Sequence, residues 1–251
     1  MTRFTTHALF RASTSFRTPR HHLRQIGACF GVTLSWFHGL PAQGPEALLE
    51  RYDLSDDAGI QVGLPRALHE VSGLATTPDG RLFAHNDERA IVYQVDPATG
   101  EILKGFSVGR MGIPGDFEGL AIAGNRFFLL TSRGQLLEFE EGGHGSAVRY
   151  RSHSTGLANV CELEGLAFNQ VSNELLLPCK TPLARSLRDH LVVFSLPLDS
   201  MRVLRTPRIF ISLGDLDARG LDDEFHPSSI EVHPGTRSIV LLAAREEAMV
   251  E

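Results

Sequence analysis

An acidic hexapeptide recurs along the chain at a constant spacing. The segment DFEGLA at 116–121 returns 46 residues later as ELEGLA at 162–167, and EVSGLA at 70–75 precedes it by the same interval. The first and third positions of these copies carry five carboxylates: Glu70, Asp116, Glu118, Glu162 and Glu164. Carboxylates brought together in this number could bind a hard cation, form salt bridges, or transfer protons as a general acid and base.

The geometry of a β-strand would place these acids in two layers, because residues two apart point the same way. A weaker fourth copy, HPSSIEVHP at 226–234, completes each layer. The first layer would contain Glu70, Asp116, Glu162 and His226, and the second would contain Ser72, Glu118, Glu164 and Ser228. Like charges about 6 Å apart repel by about 3 kcal/mol at an effective dielectric near 20.

Calcium would relieve this repulsion, because it takes six to eight oxygen ligands in loose geometry. We therefore predict a calcium site whose metal ligands are the five carboxylates named above. Two alternatives stay open. Lys180 and Arg133 could pair with the acids in salt bridges that join neighbouring repeats, or the acids could serve as general acids and bases.

The segments that follow each hexapeptide predict the elements that would position these acids. In the first copy they are RLFAHND, AIVYQVD and EILKGFSV, short β-branched and aromatic runs that Gly, Asn, Asp and Pro turns separate. Four short strands in a period of about 40–50 residues are typical of a β-propeller blade. A β-sandwich of meanders is the alternative, but it would not need equal spacing. We predict an all-β propeller of four-stranded blades over residues 46–251.

The length of this region predicts fewer blades than a common propeller ring contains. The segment ERYDLS at 50–55 is interpreted as a single outer strand, of the kind that completes the last blade of a closed ring. The residues after it accommodate about four blades. The sequence therefore predicts a propeller truncated at its C-terminal side, about two blades short of six.

A second group of polar residues is predicted at the mouth of the channel. AHNDE at 84–88 ends the second strand of the first repeat, and we expect His85, Asn86 and Asp87 to face a ligand there. Asn and Asp at a strand end are also ordinary turn residues. Lys180 is their counterpart in the third repeat, where it could attract an anionic substrate or simply be an exposed lysine.

Two cysteines flank one predicted hairpin of the third repeat. Folding the chain about residues 170–172 brings Cys161 and Cys179 nearly opposite each other. This predicts a cross-strand disulfide. Two reduced, half-buried thiols are the alternative.

Taken together and in order, the repeats resemble the SdiA-regulated family of bacterial proteins, related to phytase-like and esterase-like propellers. The residues that carry the resemblance are EVSGLATTPDGRLFAHNDERAIVYQVDPATGEIL, GDFEGLA, CELEGLAFN with LLLPCK, and PSSIEVHP. The resemblance implies a six-bladed propeller exported to, or anchored at, the cell envelope. It also implies a bound calcium, by analogy with lactonase-type propellers that carry a Glu where this chain has Glu118 and Glu164. Ser72 and Ser228 depart from that pattern.

The charge distribution separates a leader from the body of the chain. Residues 1–45 hold five arginines and no acid, whereas all 30 Asp and Glu residues follow. The acidic body argues against nucleic acid or an anionic membrane surface as a partner. The apolar run from Ile26 to Phe37 follows the basic segment and predicts an export signal; an organellar transit peptide is the alternative. We expect a periplasmic or envelope protein that associates with a membrane only through its N-terminus.

Three functions are compatible with these observations. The first is a calcium-stabilised binding propeller that holds a small molecule or a protein partner at its channel mouth. The second is a metal-dependent hydrolase of a lactone or phosphate ester, with Glu118 and Glu164 on the ion and His85 or His226 as the base. The third is an interaction scaffold without a metal.

Overall fold

The chain folds into small antiparallel sheets that follow one another along the sequence. The structure is a computed structural model and describes residues 47–54, 59, 61–217 and 224–251. The strands of the first sheet are β1 Val71–Thr76, β2 Leu82–Asn86, β3 Ile91–Val95 and β4 Ile102–Val108. The second repeat forms β5 Phe117–Ala123, β6 Arg126–Thr131, β7 Gln135–Glu140, β8 Ala147–Val148 and β9 Tyr150–Ser154.

The third and fourth repeats continue this pattern. The third contains β10 Cys161–Leu163, β11 Ala167–Asn169, β12 Glu174–Pro182, β13 His190–Pro197 and β14 Ile209–Ser212. The fourth contains β15 Ser229–Val232, β16 Ile239–Ala243 and β17 Ala248–Val250. Helices are few among the described residues: α1 Leu213–Asp217 and the 3₁₀ turns Leu48–Arg51, Arg66–Leu68 and Arg185–Leu187.

The four sheets are the blades of a four-bladed β-propeller, so the predicted fold class is confirmed. The first strand of each blade is innermost: β1 lies beside β5, β5 beside β11, and β11 beside β15. Apolar side chains fill the spaces between blades; the rings of Phe83 and Phe127, for example, meet edge to face at 5.1 Å between the first two. The predicted leader at 1–45 lies outside the described residues. No helix in the described part of the chain is long and apolar enough to cross a membrane.

Two predicted strands differ in the structure. The expected fourth strand of the second repeat is divided: β8 pairs in parallel with β4 of the first blade, and only β9 completes the second. This division covers the outer edge of β4, which would otherwise expose unpaired backbone groups. The segment at 50–55 was predicted as a strand, but Leu48–Arg51 is a 3₁₀ turn. It still contacts the fourth blade, where Tyr52 Oη lies 3.1 Å from His233 Nε2.

The glycine of the hexapeptide is where successive blades approach most closely. A Cβ atom on Gly73 would lie 3.1 Å from the backbone N of Leu120, and one on Gly119 would lie 2.7 Å from the carbonyl carbon of Gly165. A Cβ on Gly165 would in turn lie 3.0 Å from Cα of Ser229. Each glycine therefore packs against the inner strand of the next blade, and this close approach explains why the residue recurs in the first three repeats. The fourth copy has Ser229 at this position.

Candidate functional site at the channel mouth

The third residue of the hexapeptide is the extra residue of a β-bulge. The register between β1 and β2 shifts across Ser72, and that between β5 and β6 shifts across Glu118. In the third blade the innermost strand is interrupted at the same place, since β10 ends at Leu163 and β11 begins at Ala167. A bulge re-aims the side chain of the extra residue. The simple alternation that the sequence analysis assumed therefore fails at these positions.

Glu118 is a half-buried carboxylate with an unusual pKa. Its Oε2 accepts a hydrogen bond of 2.9 Å from Ser72 Oγ, which joins the first two blades. Burial raises its pKa from 4.5 to about 7, and the charges of Glu164 and Asp116 add to the rise against the opposing effect of Ser72. The backbone of the same residue binds the third blade, because its carbonyl oxygen accepts a hydrogen bond of 2.7 Å from Gly165 N.

Glu164, the equivalent residue of the third blade, forms an ion pair with Lys180. Burial raises the pKa of Glu164, and the ammonium group of Lys180 opposes this rise without cancelling it. Burial lowers the pKa of Lys180, but the hydrogen bond to Glu164 and the charges of Glu118 and Glu162 outweigh it, so the net shift is upward. Lys180 therefore stays protonated at neutral pH. Arg133, the other predicted partner, is exposed.

The remaining predicted metal ligands lie at the edge of this group. Glu70, Asp116 and Glu162 are exposed, and Asp116 Oδ2 accepts a hydrogen bond from Ser132 Oγ. Asp116 and Glu162 nevertheless act on the pKa of Glu164 through space. We call Asp116, Glu118, Glu162 and Glu164 the acidic cluster. None of the five predicted ligands belongs to a described group of three whose ligand atoms lie within 4.8 Å of one another, because Glu118, Glu164 and Asp116 are each turned toward a partner.

His85 was predicted to face a ligand at the channel mouth. In the structure it is buried between the first two blades, with none of its surface exposed. Its Nδ1 lies 2.8 Å from the carbonyl oxygen of Asn86 and must donate, because a carbonyl can only accept. Nε2 is then an acceptor, and it has no partner among the described residues; the same holds for the buried Oδ1 atoms of Asn86 and Asp87. Burial lowers the pKa of His85 to about 4, so the ring is neutral at physiological pH.

A cleft of about 410 Å³ opens between the third and fourth blades, beside the acidic cluster. We call it the rim cleft; its lining residues are Glu164, Lys180, Thr181, His226, Ser228, Ala244 and Arg245. It brings together Glu164, Lys180 and His226, which the sequence analysis singled out on separate grounds. Arg245 was not predicted to contribute to a site. It lies in the turn between β16 and β17, and no local pattern marks it.

His226 also has a carboxylate partner that the sequence analysis missed. Its Nδ1 lies 2.7 Å from Glu246 Oε1, and the side chain of Glu246 is only 9% exposed. Glu224 lies near enough that one ligand atom from each of the three residues fits within 4.8 Å. We call Glu224, His226 and Glu246 the rim triad. Glu246 belongs to the same turn as Arg245, and only the pairing of the fourth-blade strands brings it back to His226.

Cys161 and Cys179 are joined by a disulfide, with their Cα atoms 5.7 Å apart. The bond links β10 to the middle of β12, and Lys180 follows Cys179 directly in the chain. Both cysteines are buried. The cross-link therefore fixes β10 against β12. Glu164 directly follows β10, and Lys180 belongs to β12.

Comparison with models of known protein families gives no match, and comparison with the curated proteins gives none either. Among solved structures, the chain is similar to a streptogramin B lyase, with 11% identity and a TM-score of 0.42 over 69% of this chain and 48% of that one. A virginiamycin B lyase from Staphylococcus aureus has 9% identity and a TM-score of 0.43, over 73% of this chain and 52% of that one. A luciferin-regenerating enzyme has 10% identity and a TM-score of 0.42, over 68% of this chain and 52% of that one. The chain spans about half the length of these structures, and the similarity concerns the fold alone.

Proposed function

We propose that this chain is a binding β-propeller of the bacterial cell envelope. In this proposal the acids of the acidic cluster turn away from their present protein partners to hold a calcium ion, and the rim cleft beside them holds a small anionic ligand. The observation that carries the proposal is the rim cleft itself, where charged side chains of two blades converge next to the acidic cluster. Its volume of about 410 Å³ is in the range of small-molecule sites.

The case for a cation is that the acidic cluster keeps more negative charge than its protein partners neutralise. Lys180 pairs with Glu164, while Glu118 accepts a hydrogen bond from the neutral hydroxyl of Ser72 and has no ion pair among the described residues. Its pKa of about 7 reflects burial and the nearby charges of Glu164 and Asp116. A divalent cation would favour the ionised form of each acid, and hard carboxylate oxygens are the ligands that calcium prefers.

The case for an anionic ligand is the pair of cations that line the rim cleft. Lys180 and Arg245 come from different blades, and Arg245 has no ion pair within the part of the chain that the structure describes. Thr181 and Ser228 add hydroxyl groups to the lining. An arginine fork and an ammonium group together suit a carboxylate or phosphate group of a small molecule.

The envelope location and the family assignment depend on the sequence. The four hexapeptide copies resemble the SdiA-regulated family, and the basic and apolar leader favours export. A hydrolase is the second function that the sequence suggested, but it needs an accessible base. His85 is fully buried and cannot serve, whereas His226 lines the rim cleft with its Nδ1 held by Glu246, which leaves Nε2 as the candidate base. We keep hydrolysis as the second candidate and propose binding first, because two cations line the rim cleft.

Calcium binding can be tested by thermal unfolding of the full chain in calcium and in EDTA. Calcium at about 100 times its dissociation constant would add about 2.7 kcal/mol to the free energy of unfolding. For a domain of this size that raises Tm by about 5–10 °C. Glu118→Gln should abolish the rise, whereas the exposed control Glu101→Gln should keep it. A wild-type Tm that moves no further in calcium than in ionic-strength-matched sodium chloride would refute the cation.

The anionic ligand is tested separately, with inorganic phosphate, citrate and a panel of small carboxylates and phosphate monoesters as probes. We expect at least one probe to raise Tm in calcium buffer and to show saturable heat in calorimetry. Replacing Lys180 and Arg245 together by Gln should remove that binding. Replacing the exposed Arg205, which lies outside the rim cleft, should not. Equal binding by the double variant would place the anion elsewhere.

A further inference from the structure

We propose that the rim triad of Glu224, His226 and Glu246 is a second metal site, selective for a borderline transition metal such as zinc. This inference goes beyond the proposed calcium site, because it concerns different residues and a different class of ion. It does not depend on calcium binding in the channel.

The donor atoms of the rim triad are spaced closely enough to share one ion. One ligand atom from each residue of the rim triad lies within 4.8 Å of the other two. Ligands at the usual zinc distances of about 2.0–2.2 Å lie about 3–4 Å from one another, so small side-chain rotations close the site. Among the described residues it is the one group of three His, Cys, Asp or Glu side chains whose ligand atoms lie this close together.

His226 and Glu246 already hold each other in place. Glu246 Oε1 lies 2.7 Å from His226 Nδ1, and Glu246 Oε2 accepts a hydrogen bond of 3.4 Å from the backbone N of His226. The carboxylate side chain is 9% exposed, so its orientation is fixed by packing as well as by these contacts. An ion that binds both side chains displaces the proton of the hydrogen bond between them. Because the imidazole and the carboxylate are preorganised, they lose little conformational entropy in this exchange.

The rim triad contains one carboxylate more than its imidazole can pair with. One imidazole can satisfy Glu246, but Glu224 lies close by and has no hydrogen bond or ion pair of its own among the described residues. Two carboxylates beside one imidazole form a donor set for a divalent ion. The imidazole nitrogen disfavours calcium, which takes oxygen ligands, and favours zinc and its first-row neighbours.

His226 lies at the edge of the rim cleft, so an ion bound to it would face the cleft. Three protein ligands leave at least one coordination position of a tetrahedral ion open, as in zinc sites that bind an exogenous ligand. His226 lines the rim cleft together with Lys180 and Arg245. An ion here would offer its open position to the same anionic group that these two cations attract.

The site is tested by calorimetric titration of the full chain with Zn²⁺ in buffer that contains saturating calcium, so that the channel is occupied. We expect one equivalent of Zn²⁺, and Co²⁺ in its place should give the visible absorption of a nitrogen- and oxygen-bound low-coordinate ion. His226→Gln, Glu246→Gln and Glu224→Gln should each weaken Zn²⁺ by more than about 100-fold, the upper range for loss of an outer-shell partner. The exposed control His144→Gln should bind like the wild type.

Several results would overturn the proposal. It fails if the wild type binds no Zn²⁺, or if His226→Gln binds it as tightly as the wild type does. Because Glu224 is exposed, Glu224→Gln should fold even if a change at the more buried Glu246 does not, and equal affinity in that variant is likewise a refutation. Loss of Zn²⁺ binding in Glu118→Gln alone would place the ion in the acidic cluster. A chain that binds Zn²⁺ but not calcium would contradict the channel cation and support the rim triad.

Discussion

The pKa of Glu118 predicts an unusual dependence of stability on pH. The folded protein raises this pKa from 4.5 to about 7, chiefly through burial, so the folded state holds the proton more tightly than the unfolded chain does. Between these two values the unfolded state binds fewer protons, and the free energy of unfolding must fall as the pH rises. The destabilisation is absent below about pH 4.5 and complete above about pH 7. Glu118→Gln should remove it.

The size of the effect follows from the same shift. Each unit of pKa corresponds to about 1.4 kcal/mol, so the full rise from 4.5 to about 7 corresponds to about 3 kcal/mol. Glu118 is only half-buried, however, and solvent screens its interactions with the neighbouring acids. We therefore expect a difference of about 1–2 kcal/mol between the wild type and Glu118→Gln at pH 8, and almost none at pH 4.5.

The assay is urea unfolding of both proteins in EDTA at half-unit steps from pH 4.5 to 8.5, followed by circular dichroism. Titrating groups remote from Glu118 are common to both chains and cancel in the difference, so what remains is Glu118 and its coupling to the acidic cluster and Lys180. Glu101→Gln, at an exposed position of the first blade, is the matched control and should run parallel to the wild type. Parallel curves for the wild type and Glu118→Gln would refute the reasoning, as would a difference that grows toward acid.

Three further predictions concern the elements around this residue. Replacing Cys161 and Cys179 by Ser removes a cross-link of sequence separation 18 and should cost about 3 kcal/mol in urea unfolding. Gly73→Ala would place a methyl group 2.4 Å from Nε2 of the buried His85, and should lower the free energy of unfolding by about 2–3 kcal/mol. Lys180→Gln leaves Glu164 without its cation and should cost about 1–2 kcal/mol at pH 8 by the same measurement, and less at pH 5.

Each of these has a control in the same chain. Wild-type protein in dithiothreitol should unfold like the double Ser variant, and equal stability with and without the reductant would contradict the role of the disulfide. Gly143→Ala adds a methyl group with no heavy atom within 4 Å, so an equal loss at both glycines would show that the contact with His85 is not the cause. Lys180→Arg keeps the positive charge and should lose less stability than Lys180→Gln.

The blades could be predicted because their signals are local. Apolar runs separated by turn residues mark the strands, and a constant interval between hexapeptides indicates identical units, whatever their packing. Exceptions arise where a strand's partner is set by the rest of the fold. The segment around β8 has the composition of one strand, but the exposed edge of β4 captures its first half. Nothing in the second repeat itself encodes this exchange.

The direction of the acidic side chains could not be predicted, because it depends on bulges. Period-two alternation assumes one residue on each strand per pair, and the extra residue at Glu118 breaks that assumption. His85 shows the same limit in another form. Its place at the end of β2 was predicted, but burial depends on Gly73 of the neighbouring strand, whose missing side chain leaves room for the ring.

The glycine and the acid of the hexapeptide are two consequences of one packing constraint. The first three blades each approach the next most closely where the inner strand lacks a side chain, and Gly119 and Gly165 provide two of these contacts. The residue before each glycine is thereby drawn toward its counterpart in the next blade, which is why Ser72 reaches Glu118 and why the charge of Glu164 raises the pKa of Glu118. A propeller built on this repeat therefore brings the third residues of its hexapeptides close together at the axis. In this chain Glu118 and Glu164 occupy two of the four positions, so the electrostatic cost at the axis follows from the architecture, and the cation proposed above would relieve it.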